Sequence, residues 1–181
     1  MMEEKIEQMN DLLILVDEHD NEIGVSDKLS VHQTGVLHRA FSVFIFNSNG
    51  ELLLQQRADS KYHSPGLWSN TCCSHPKPGE NNLEACKRRL TEEMGMECII
   101  EFSFSFIYKF QFSNGLTEHE YDYVYLGCTN DLPKLNKMEV KEWKYISLQD
   151  LENEILNHPE YYTAWLKICL PKVIEHFQLK I

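Results

Sequence analysis

Apolar and polar positions change period several times along the chain, and each change marks an element. Asp11–Val16 and Glu22–Val25 are short β-type runs on either side of Asp20-Asn21, a polar turn signal, and predict a hairpin. His38–Asn47 is a long β-rich run, Ser48-Asn49-Gly50 supplies a turn, and Glu51–Arg57 supplies the returning strand. From Ala58 to Pro78 the residues show no period, which predicts a loop, or a loop holding a short strand. Ordered loops of that length in a compact domain commonly carry function. Glu80–Met94 places apolar residues at Leu83, Cys86, Leu90 and Met94, one stripe of a helix that Gly95 would stop. Cys98–Phe112 and Glu118–Cys128 read as strands joined through Ser113-Asn114-Gly115, and Lys141–Ile146 as a further short strand. Ser147 with Asp150 resembles a capping box opening a helix to about Leu156. Tyr161–Phe177 predicts a last helix, kinked at Pro171. No repeat, low-complexity tract or linker divides these elements. The expectation is one α+β domain over 1–181, a mixed β-sheet flanked by helices in α/β/α layers.

Composition narrows the function. A chain of 181 residues buries roughly two-thirds of its unfolded surface, and 43% hydrophobic content suits an ordinary core. No stretch approaches the ~18–20 apolar residues of a membrane span. The acidic start MMEEKIEQMN lacks the basic and apolar parts of a secretory signal, so a cytoplasmic protein without a membrane partner is expected. The net charge of −11 argues against nucleic-acid or acidic-membrane binding. A phosphorylated ligand would need a few placed Lys or Arg residues, or a metal. The six cysteines form no C-x-x-C pair, and a disulfide scaffold is not expected in this setting. Cys86, Cys98, Cys128 and Cys169 are expected as small buried hydrophobes. Nothing points to an extensive self-association surface, so a monomer or weak homo-oligomer is expected.

Chemistry first shows in the helix after Gly79. Glu80, Glu84, Arg88, Glu92 and Glu93 include acids four residues apart, which share a helix face. Clustered carboxylates suit a hard cation such as Mg²⁺, which often bridges to substrate phosphates. A solvated acidic face with Arg88 as its internal partner explains the same spacing.

Gly79-Glu80, Arg88 and Glu92-Glu93-Met94-Gly95-Met96 resemble a degenerate Nudix box, G-x5-E-x7-R-E-U-x-E-E-x-G-U with U apolar. Ser74 stands where the first Gly belongs, and Arg89 replaces a carboxylate that hydrolases of this family use to hold metal. The resemblance implies the Nudix fold while weighing against diphosphate hydrolysis. Just upstream, Thr71-Cys72-Cys73-Ser74-His75-Pro76, with Asn70-Thr71 supplying most of the opening, resembles the T-N-x-x-C-x-H-P signature of type I isopentenyl diphosphate isomerases. His32 and His38 before it, Glu118-His119-Glu120 after the box and Trp165 in the last helix follow in that family's order, over about residues 11–170.

The isomerase resemblance implies a site residue by residue. His32, His38, His75, Glu118 and Glu120 would hold Zn²⁺, Mn²⁺ or Mg²⁺, nitrogen ligands favouring the transition metals. On a strand Glu118 and Glu120 point to one face and His119 to the other; His63 is not in the matching set. Cys73, rather than its neighbour Cys72, would face Glu120 as the second proton-transfer group. Tyr108 would assist Glu120, and Trp165 would offer its π-face to a carbocation. Lys28, Arg57, Lys61 and Arg89 would bind a diphosphate, with Glu93 on a bridging Mg²⁺. The implied substrate is a small homoallylic or allylic diphosphate, and the implied reaction a double-bond shift by protonation and deprotonation. Two rival readings remain: a Nudix diphosphohydrolase, which the Glu92-Glu93 pair supports, and a metal-holding module without turnover.

Overall fold

A computed structural model describes residues 12–178 with the exception of Tyr62. Asp11, expected to open the first strand, lies outside the described residues. The elements run β1 (Leu12–Val16), β2 (Glu22–Asp27), α1 (Lys28–Thr34), β3 (His38–Phe46), β4 (Leu52–Arg57), β5 (Trp68–Ser69), β6 (Cys72–Ser74) and α2 (Asn82–Met94). They continue as β7 (Ile100–Gln111), β8 (Thr117–Cys128), β9 (Val140–Ile146), α3 (Leu148–Asn157), a 3₁₀ turn (Pro159–Tyr161) and α4 (Ala164–Gln178). The strands form one mixed sheet centred on β3.

β3 pairs along its whole length in parallel with β8, from His38↔Glu120 to Phe46↔Cys128. Its other edge is shared: β6 takes the middle antiparallel, with Ser42 opposite Cys73, while β1 meets it at His38 and β4 at Phe46. β7 extends the sheet beyond β8, and β9 and β5 extend it beyond β4. Both faces of β3 are covered, as expected of a near-continuous apolar strand in a layered α/β structure. Phe41, Val43 and Ile45 pack under α2 through Ala85, Cys86, Leu90 and Met94. Phe44 and Phe46 pack with Val124 and Leu126 of β8 under α4 and Leu151 of α3.

The expected stripe of α2 is therefore its buried face. The helix opens at Asn81, whose side chain accepts from the Glu84 amide, so Glu80 precedes the helix instead of starting it. Gly95 closes it at φ 60°, and a Cβ there would meet the Lys134 carbonyl oxygen at 2.3 Å, so only glycine fits. Three departures from the sequence reading matter for the site. Helix α1, too short to show a period, is set by its caps: the Asp27 side chain accepts from the Ser30 amide, and Gly35 ends it at φ 66°. The aperiodic stretch 58–78 holds two short strands, β5 and β6. The last helix begins at Ala164 and continues through Pro171. Its start is tied to the sheet because the Thr163 amide donates to the Trp68 carbonyl.

Cys86 and Cys169 are buried as expected, whereas Cys98 is half-buried and Cys128 is exposed at the end of β8. Among the described residues no helix is long and apolar enough to cross a membrane.

Candidate active site

The site forms where the polar ends of β3 and β8 meet β6, α1 and the start of α4. One cavity is lined by Lys28, Arg57, Lys61, Cys73, His75, Arg89, Glu93, Tyr108, Glu118, Glu120 and Trp165, together with His63. Every residue that the isomerase resemblance implies therefore borders this space or, for His32 and His38, contacts its glutamates, whereas Glu80, Glu84, Arg88 and Glu92 of the box helix lie outside it. Register explains the assembly. Parallel pairing sets His38 beside Glu120, antiparallel pairing sets Tyr108 opposite Glu120, and Ser42↔Cys73 brings Cys73 to the same face. His119, on the opposite face, bonds to the Gly35 carbonyl instead.

Asn70 and Thr71 explain why β6 can lie there. The Asn70 amide donates to the Cys72 and Val43 carbonyls. The Thr71 hydroxyl donates to the Leu53 carbonyl at 2.6 Å and accepts from the Ile45 amide. Both side chains are fully buried, and they stitch a three-residue strand between its neighbours. Cys72 consequently points into the core under α2, away from the cavity.

Three imidazoles and two carboxylates converge. One ligand atom from each of His32, His38 and His75 lies within 4.8 Å of the others, and the same holds for His38, Glu118 and Glu120. Their backbone partners fix the ring orientations: His32 Nδ1 donates to the Lys28 carbonyl at 2.6 Å and His38 Nδ1 to the Val36 carbonyl at 3.0 Å. That leaves both Nε2 lone pairs aimed inward. His32 Nε2 is 3.0 Å from Glu118 Oε2, and His75 Nε2 is 3.1 Å from Glu120 Oε1. Among the described residues His38 Nε2 is buried without a hydrogen-bond partner, and it sits 3.7 Å from Glu120 Oε1. Acceptor facing acceptor in a buried space is unfavourable unless a proton or a cation stands between them. The donor set thus fits a divalent metal.

The charge states follow from burial and neighbours. Burial raises the Glu118 carboxyl above the usual range, and repulsion from Glu120 adds to this. Burial pushes Glu120 up as well, but His38 and His75 overcome it and hold it well below that range. Tyr108 donates to Glu120 Oε2 at 2.7 Å and has its own phenol pushed well up by burial. Burial pushes the Cys73 thiol up to about 12, so it stands as a neutral S–H at pH 7. Trp165 is 5% exposed and its indole N–H donates to Ser69 Oγ at 2.8 Å.

The cations are equally organised. Arg57 donates to the carbonyls of His63 and Ser64, and its guanidinium lies 5.1 Å from the centre of the Trp165 ring. Arg89 reaches Glu92 and Glu93, and Arg88 forms a two-pronged bond to Glu80. Every carboxylate retained from the box therefore has a guanidinium partner.

Three site residues were not found from sequence. His63, 8% exposed, stands 3.6 Å from Glu118 Oε1 and edge-on to Trp165, with burial lowering its pKa to about 2. Gln55 donates to Glu93 Oε2 at 2.9 Å and to the Thr71 carbonyl, and its polar side chain inside an apolar strand was a usable signal. Glu139 pairs with Lys61 and Arg89, a contact that nothing local announces.

A mixed sheet between helical layers, carrying a carboxylate box on α2, defines a class that direct comparison recognises: residues 36–166 match the family model of the NUDIX domain. The DR0079 protein of Deinococcus radiodurans superposes with a TM-score of 0.75 at 21% identity, covering 89% of this chain and 98% of that one. A MutT protein from Methanosarcina mazei does so at 0.61 and 21% identity, covering 75% and 91%. Those likenesses speak for the fold alone. At the sequence level, "Isopentenyl-diphosphate Delta-isomerase 2" of Aromatoleum aromaticum is 51% identical over 166 residues, 92% of this chain and 88% of the relative. The isopentenyl-diphosphate Delta-isomerase of Pectobacterium atrosepticum is 48% identical over 92% of this chain and 93% of its own. The chain belongs to the NUDIX domain family and, within it, to the isopentenyl-diphosphate Delta-isomerases.

Proposed function

We propose that the chain interconverts isopentenyl diphosphate and dimethylallyl diphosphate at this cavity, moving a double bond by protonation at one carbon and deprotonation at another. The observation that carries the reading is the placement of Cys73 and Glu120. They come from strands on opposite edges of β3, yet both line one largely buried cavity. An alkene without an activating group needs an acid and a base placed on separate sides, and little water to intercept a tertiary cation.

The roles divide along the cavity wall. Cys73 and Glu120 exchange protons with the hydrocarbon end, and Tyr108, bonded to Glu120, steadies that carboxylate and shares its proton. Trp165, held by Ser69, presents its ring to the cationic carbon, an attraction of ~2 kcal/mol when desolvated. Lys28, Arg57, Lys61 and Arg89 bind the diphosphate. His32, His38, His75, Glu118 and Glu120 would hold a Zn²⁺, Mn²⁺ or Mg²⁺ ion, and Glu93 a Mg²⁺ shared with the diphosphate. Bound metal supplies positive charge that offsets the crowded carboxylates and the phosphate oxygens. The substrate is a small molecule, and the protein acts in the cytoplasm as a monomer or weak homo-oligomer.

Hydrolysis of the diphosphate is the weaker reading, because Arg89 replaces a box carboxylate and itself neutralises Glu92 and Glu93. Incubation with isopentenyl diphosphate and Mg²⁺ tests the choice: dimethylallyl diphosphate is expected with no free phosphate. Phosphate release without isomerisation would transfer the site to the hydrolases.

A further inference from the structure

Glu139 lies just before β9, outside both the box and the histidine cluster. One carboxylate oxygen, Oε2, meets both Lys61 Nζ and Arg89 Nη2, the latter at 3.3 Å. Lys61 comes from the segment after β4 and Arg89 from α2, so this single oxygen ties together two cations that the fold delivers separately. Both cations border the cavity. The carboxylate is a quarter exposed, and although burial would raise its pKa, Lys61 and Arg89 hold it below the ordinary carboxylate range.

The backbone of Glu139 is fastened to the same two elements. Its carbonyl accepts from the Ala58 amide at 3.0 Å, next to Arg57. Its own amide donates to the Asn136 carbonyl, and the Asn136 amide donates to the carbonyl of Glu93 on α2. A carboxylate at the edge of an anion pocket would oppose the ligand unless it did something else. Arg89 is already tied to Glu92 and Glu93 on α2, but a long Lys61 side chain left loose would lose rotamer freedom when an anion captures it, and the two cations repel one another until it arrives. An anchored carboxylate behind them removes both costs in advance.

We propose that Glu139 is a positioning residue for diphosphate binding: it holds Lys61 and Arg89 side by side along the cavity wall before the substrate enters. The inference rests on the reading that Lys61 and Arg89 bind the diphosphate. It assigns Glu139 to binding and not to the proton transfers, so it separates KM from kcat.

The test measures kcat, KM for isopentenyl diphosphate and the inhibition constant of inorganic diphosphate with Mg²⁺, for the wild type and Glu139→Gln. Glu139→Gln is expected to raise KM and the inhibition constant by about 10-fold while kcat stays within about twofold, a size typical of lost preorganisation. Combined with Lys61→Ala, it should add less than it does alone, since the two act through one contact. Unchanged or tighter diphosphate binding in Glu139→Gln would overturn the proposal, the second result marking the carboxylate as a competitor. Should Glu139→Gln not fold, Glu139→Asp retracts the carboxylate by one methylene; a KM raised about threefold supports the proposal and an unchanged KM overturns it. Lys61→Ala and Arg89→Ala in the otherwise native chain test the underlying reading separately. If neither weakens inorganic diphosphate, the anion binds elsewhere, and the failure belongs to that reading.

Discussion

Strands β3 and β8 run side by side from His38↔Glu120 to Phe46↔Cys128, yet the face they turn toward α4 changes character halfway. At one end it carries His38 and Ser42 beside Glu118, Glu120 and Asp122; at the other it carries Phe44 and Phe46 beside Val124 and Leu126. Both halves are buried, but for opposite reasons. Each large apolar side chain at the second end contributes ~2–3 kcal/mol by leaving water. The first end buries carboxylates whose partners are incomplete: Asp122 accepts from Ser42 through Oδ2, while its Oδ1 has no donor among the described residues. A rigid pair of strands lets the apolar half hold the polar half in an arrangement it would not adopt alone.

The contrast breaks most visibly at Glu120. On the proposed reading Glu120→Gln removes a proton-transfer group and a charged metal ligand together, so turnover should fall by about 10³-fold or more, with metal content falling beside it. Next come two neighbours on opposite faces of β6. Cys73→Ala should lower kcat by roughly 10²–10⁴-fold, whereas Cys72→Ala, pointing into the core, should leave kcat nearly unchanged. Equal loss in both would mean that β6 matters only as packing. At the apolar end the effect moves from rate to stability. Phe44→Ala should cost about 3–5 kcal/mol in denaturant unfolding while the folded fraction keeps its kcat.

Away from both halves lies the smallest effect, the Glu80–Arg88 pair. Arg88, by its hydrogen bonds, holds the Glu80 carboxyl below its ordinary 4.5. The pair's contribution is therefore present above that unfolded value and fades as pH falls through the lower folded one. Glu80→Gln should lower stability by about 0.5–1 kcal/mol at pH 7, and unfolding midpoints of variant and wild type should converge as the pH falls below 4.5. A gap that persists in acid would locate the contribution in packing.

Legibility in the sequence followed range. Period-two spacing sufficed to send Glu118 and Glu120 one way and His119 the other, and the stripe on α2 placed Leu90 and Met94 in the core. Helix α1 escaped because seven residues show no period, although Asp27 and Gly35 are ordinary cap residues. His63 sits in an aperiodic segment, and only the folded loop brings it to Glu118 and Trp165. Glu139 meets residues 50 and 78 positions away in the chain, a pairing that no local pattern encodes. The cysteines divided likewise: Cys86 and Cys169 fall on buried helix faces, while Cys128 ends a strand just where cover stops.

In the proposed reaction two separate groups on either side of β3, Cys73 on β6 and Glu120 on β8, carry out the addition and the removal of a proton. NMR of the product formed from isopentenyl diphosphate in D₂O with Mg²⁺ tests this most directly. Two groups exchanging with solvent predict dimethylallyl diphosphate carrying solvent deuterium at the newly protonated carbon, and for Glu120→Gln only the small amount of labelled product that its residual turnover yields. Product at the wild-type rate without deuterium would mean that a single group relays one proton within the substrate, and the two-sided site would be wrong.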